Sequence, residues 1–78
     1  MVESQSVWYE IPATATSNFL FTHNFGRRAA ITASLVEAQV AGIMTTLITS
    51  NDVNSFYVNV SNHGGTQTVT GTLYVDYW

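Results

Sequence analysis

Apolar residues recur at every second position within short segments of this chain, and Gly, Pro, Asn and Ser separate the segments. Val7, Tyr9 and Ile11 alternate with Trp8 and Glu10, the period of a half-buried strand. Pro12 ends that run, since it has no N–H to offer a ladder. After the small residues Ala13 to Ser17, Phe19 and Phe21 alternate with Asn18, Leu20 and Thr22 as a second strand. His23-Asn24-Phe25-Gly26 then reads as a turn, because Asn and Gly tolerate positive φ. Phe56, Val58 and Val60 against Tyr57, Asn59 and Ser61 form the clearest alternation. The polar turn Ser50 to Asn54 precedes it and Asn62-His63-Gly64-Gly65 follows. In the last segment Val69, Leu73, Val75 and Tyr77 share a parity with Gly71, opposite Thr68, Thr70, Thr72, Tyr74, Asp76 and Trp78. A Gly-rich loop between two such runs predicts a hairpin. Gly71 amid threonines predicts a bulge or a close backbone approach.

Arg28 to Val40 is ambiguous. Ile31, Leu35 and Ala38 stand at helical spacing, whereas Ile31, Ala33 and Leu35 share one face of a strand. With no N-terminal capping box, a strand through Leu35 is preferred. Ala41-Gly42 turns the chain into Ile43 to Thr49, whose β-branched residues suit a pleated surface. Residues 1–78 thus form one all-β domain, a small antiparallel β-sandwich or barrel of about six strands.

Charge is scarce: 9% of residues, against roughly 25% in an ordinary soluble domain. Two Arg, no Lys and a net charge of -3 leave no basic patch for nucleic acid. The absence of Cys removes disulfides, thiolate metal sites and Cys nucleophiles together. The first 20 residues have neither a basic start nor a long apolar run, so a cleaved secretory signal is not expected. No run approaches the roughly 18 apolar residues of a membrane span. A 78-residue domain without disulfides or an evident metal site has little core to spare. Oligomerisation is the remaining common source of stability. The initial Met and the length together suggest a complete small protein.

Candidate chemistry is thin. His23 and His63 sit in Asn/Gly turns, and their spacing from Asp52, Asp76 and Glu10 matches no metal or acid-base motif. No Gly-x-Ser-x-Gly elbow and no phosphate-binding loop is present, so neither enzymatic activity nor a cofactor is expected. Asn59-Val60-Ser61 matches a glycosylation acceptor by accident in a chain with no export signal. Arg27 and Arg28 carry all the formal positive charge; a solvated pair at a strand start is the simpler reading, and contact with an anionic glycan or an adjacent subunit's carboxylate is the alternative, toward which Arg without Lys points. Trp8, Tyr57, Tyr74, Tyr77 and Trp78 include several rings on the parity opposite the core, where they can fill a subunit interface or stack on sugars. The expected interface set is Arg27, Arg28, Trp8, Tyr74, Tyr77 and Trp78. The expected sugar-binding alternative is Trp8, Tyr57 and Asp76.

Phe21-Thr22-His23-Asn24-Phe25-Gly26-Arg27-Arg28 followed by Ala30-Ile31-Thr32-Ala33-Ser34 resembles a segment recurrent in small β-domains of tailed-phage virion proteins. There a strand runs into His-Asn-Leu-Gly, a basic or polar residue and often Pro, then an alternating strand. Here Phe25 stands for Leu and Ala29 for Pro. The later pattern, Phe56 to Val60, a Gly turn and a strand ending Asp76-Tyr77-Trp78, is loosely similar to H-type lectin-like domains, which are six-stranded sandwiches assembling as trimers. These resemblances imply a non-enzymatic virion protein, a capsid decoration or fibre/spike module assembled in the bacterial cytoplasm. Its partners would be copies of itself, as a homotrimer, and other virion proteins. The alternative they imply is a lectin-like module binding a host surface glycan, with neither nucleic acid nor membrane insertion involved.

Overall fold

In a computed structural model, which describes residues 2–39, 42–64 and 66–78, the chain forms six antiparallel strands. These are β1 (Glu3–Ile11), β2 (Thr16–Thr22), β3 (Ile31–Ala38), β4 (Met44–Thr49), β5 (Ser55–Asn62) and β6 (Val69–Tyr77). They make two three-stranded sheets, β1-β6-β3 and β2-β5-β4, here named the β6 sheet and the β5 sheet after their central strands. The expected all-β domain is therefore present as a pair of packed sheets. Val40, Ala41 and Gly65, which the sequence reading placed in turns and in the ambiguous segment, lie outside the described residues.

Parity explains the core. Odd positions of β1, β2 and β6 and even positions of β4 and β5 point between the sheets, as alternation requires. Tyr9, Ile11, Phe21, Phe56, Val58, Val60, Val69, Leu73, Val75 and Tyr77 are buried there, with Ala29. The accessible surface, 4676 Å², matches the roughly 4,700 Å² that scaling gives a folded chain of this mass.

Two sequence expectations change. The β5–β6 link is not a hairpin, because β5 pairs with β2 and β4 while β6 pairs with β1 and β3. The two most cleanly alternating segments are each the centre of a sheet, and they stack face to face instead of pairing edge to edge. The corner between them is held by Asn62, only 1% exposed. Its Nδ2 donates toward the carbonyls of Ile11, Pro12 and Gln67 at 3.0 to 3.3 Å, and its Oδ1 accepts the Gly64 N–H at 2.9 Å. The second change concerns β3, which is a strand to Ala38 and carries a bulge between Ile31 and Ala33. One extra residue inverts the alternation after it. Ile31 therefore packs inward while Leu35, expected beside it, is 64% exposed.

The expected close approach at Gly71 is present. A Cβ there would overlap the Glu37 carbonyl oxygen and lie 2.8 Å from the Tyr9 hydroxyl. The missing side chain lets Tyr9, opposite Gly71 in register, reach across β6 and donate to the Glu37 carbonyl at 2.9 Å. In the turn after β2, Asn24 and Gly26 both have positive φ, 57° and 72°, as their residue types allow.

Candidate functional site

The residues with candidate chemistry fall at four places: the two ends of the sandwich and its two outer faces. At the end where β2 leads into β3, His23, Phe25, Phe56 and Tyr77 form an aromatic cluster. His23 lies 4.3 Å from Phe25 and 6.2 Å from Tyr77, and Phe56 meets Tyr77 edge-on at 5.2 Å. The His23 Nδ1 accepts the Phe25 N–H at 3.0 Å, which assigns the ring proton to Nε2. That Nε2 is buried and has no hydrogen-bond partner among the described residues; the rings of Phe56 and Tyr77 lie beside it. His23 is thus a packing residue of the turn.

The remaining titratable candidates do not join it. His63 is at the opposite end, where its backbone N–H bonds to Ile43 and its Nε2 lies 3.0 Å from the Thr45 hydroxyl. Asp52 caps its own turn by accepting the Val53 N–H, and Asp76 points outward from β6 opposite Ser4. Among the described residues no three His, Asp or Glu side chains gather to hold a metal ion.

Arg27 and Arg28 follow this turn. The Arg27 guanidinium lies over the Phe25 ring, 5.1 Å from its centroid, a cation–π geometry, and its Nη1 donates to the carbonyls of Arg28 and Trp78. Trp78 is fixed by a reciprocal backbone pair with Ala30, at 2.7 and 3.0 Å. Arg28 beside it is exposed.

Of the expected interface set, Trp8 and Tyr74 share the outer face of the β6 sheet. Tyr74 is opposite Ser6 on β1 and Leu35 on β3, and Trp8 is one row along, opposite Thr72. Trp8, Leu35 and Tyr74 therefore make one contiguous exposed apolar patch, to which the sequence reading did not assign Leu35 because the bulge was not legible. Arg27, Arg28 and Trp78 lie at the sheet's end. Tyr77 is removed from the set: it is 2% exposed, its ring lies in the core and its hydroxyl meets Gln5 Nε2 at 2.6 Å. Its inward parity places it there.

The sugar-binding trio does not converge. Trp8 and Asp76 are on the β6 sheet, four residues apart along the register, while Tyr57 is on the outer face of the β5 sheet beside Leu20. Exposed Leu20, Leu47 and Tyr57 give that face an apolar patch of its own, set among Asn18, Asn59, Thr16, Thr45 and Thr49. The strands of the β5 sheet carry no charged residue, whereas those of the β6 sheet carry Glu3, Glu10, Glu37 and Asp76. Neither parity nor composition read along the chain separates the two faces; the strand order does. Compared with known proteins, the chain matches no family model, no curated sequence and no solved structure.

Proposed function

We propose that this chain is a non-enzymatic assembly subunit that works through the outer faces of its two sheets. The observation that carries the reading is the even division of the exposed large apolar residues that lie on strands: Trp8, Leu35 and Tyr74 on one face, Leu20, Leu47 and Tyr57 on the other. Clustered exposed apolar residues mark interaction surfaces. A subunit that joins copies of itself and also attaches to a different protein needs two such surfaces. A homotrimeric capsid decoration protein or fibre/spike module of a phage virion has this requirement, and the resemblance around His23 to Arg28 supports that setting. The division of Trp8, Asp76 and Tyr57 between opposite faces weighs against the glycan-binding reading, which a glycan array checks directly. Light scattering at micromolar concentration tests the assembly reading: a trimer is expected, and a well-folded monomer overturns it.

A further inference from the structure

Resting on that reading, we infer that copies join head to tail, the Arg28 guanidinium of one copy seating between Trp8, Glu10 and Glu37 of the next. Charge carries the first part of the argument. Both cations of the chain lie in one loop, and Arg27 is held there by Phe25 and two carbonyls, which leaves Arg28 presented at the surface. The outer face of the β6 sheet has Glu10, Glu37 and Asp76 and no base.

Geometry carries the second part. Trp8, Thr72 and Glu37 form one row across the three strands, and Glu10 opposite Thr70 begins the next. Thr70 and Thr72 are small and half-buried, beside the exposed side chains of Trp8, Glu10 and Glu37. Trp8 and Glu10 flank them on β1 and Glu37 on β3, strands about 10 Å apart across β6. An indole beside two carboxylates suits a guanidinium, which stacks on the ring and pairs with the acids. The occupant comes from another copy, because Trp78, where the Arg27 loop is fastened, lies six residues along β6 from Thr72, roughly 20 Å of strand. Donor loop and acceptor patch lie apart on one copy, and in the trimer of the proposed function the contact is heterologous, each copy donating to the next around a closed ring. The β6 sheet then takes the self-contact and the uncharged face of the β5 sheet is left for the other partner.

Sedimentation velocity on the full chain tests this with charge reversals at exposed positions, near-ultraviolet circular dichroism verifying the fold. R28E and E37R are each expected to weaken self-association by roughly tenfold or more, and the R28E/E37R double variant to restore it. L47K, on the other sheet, is expected to assemble as the parent does. A parent chain that is itself monomeric overturns the assembly reading and this inference together. A trimeric parent whose R28E and E37R variants assemble normally overturns the inference alone. So does failure of the double variant to recover, or dissociation by L47K, which moves the self-contact to the β5 sheet.

Discussion

The two sheets of this sandwich have the same number of strands and the same kind of inner face, yet they are fastened and surfaced differently. In the β6 sheet the lock is a close approach: Gly71 leaves room for Tyr9 to cross the central strand and bond to Glu37 on the far one. In the β5 sheet it is a side-chain clasp, Asn62 gathering the end of β1, the β1–β2 turn and the approach to β6. The outer faces differ as much, one acidic and one without charge. The difference teaches that alternation alone places side chains inside or outside, while the chemistry that locks a sheet or offers it to a partner sits at a few exceptions to it.

The lock of the β6 sheet is the easier to break. Gly71→Ala places a methyl group on the Glu37 backbone, and a loss of about 3 kcal/mol is expected in urea unfolding. If the strands separate freely there, the loss will be below 1 kcal/mol. Asn62→Ala tests the clasp of the other sheet. Removing Nδ2 takes a donor from the carbonyls of Ile11, Pro12 and Gln67, and a loss of about 2 kcal/mol is expected, with faster amide exchange at Gly64, whose N–H loses its acceptor.

Tyr9→Phe removes the crossing hydrogen bond alone, with an expected cost of about 1 kcal/mol at neutral pH. Burial, and then the negative charge of Glu37, raise the Tyr9 phenol above its ordinary pKa. The folded chain thus holds this proton to higher pH than the unfolded chain, whose phenol titrates near about 10. The stability this proton supports is present below that value and is lost as pH rises from it through the raised value of the folded chain. Unfolding compared at neutral and strongly alkaline pH should show a smaller alkaline loss in Tyr9→Phe; an equal loss would remove Tyr9 from the account. The smallest effects belong to the outer faces. Leu35→Thr and Leu47→Thr should each change stability by less than about 0.5 kcal/mol, so any larger effect on assembly comes from the surface itself.

Much of this is legible in the residues taken in order. Tyr9, Ile11, Phe21, Phe56, Val58, Val60 and the odd positions of β6 read as core because a two-residue period is a local property of a strand. Asn24 and Gly26 read as a turn because positive φ is a property of single residues. Leu35 does not read as surface, since a bulge depends on how β3 meets β6 and not on its own composition. Asn62 reads as loop because Asn is common in turns; its role appears only when the carbonyls of Ile11 and Pro12, distant in sequence, converge on it with that of Gln67.

The candidate surfaces divide the same way. Trp8, Tyr74 and Trp78 stand out as aromatic residues on a polar parity, and Arg28 as one of two cations. What joins Trp8 to Glu37, and separates both from Tyr57, is which strands are neighbours. The chain by itself determined the inward and outward faces of β1, β2, β5 and β6, the turn at Asn24 and the singularity of Gly71, because each depends on a period or on the steric reach of one residue. Tertiary structure alone decided that β5 and β6 stack instead of pairing, that the bulge turns Leu35 outward, and that the strand charges gather on one sheet. Those outcomes rest on contacts between segments far apart in sequence, and no local pattern encodes them.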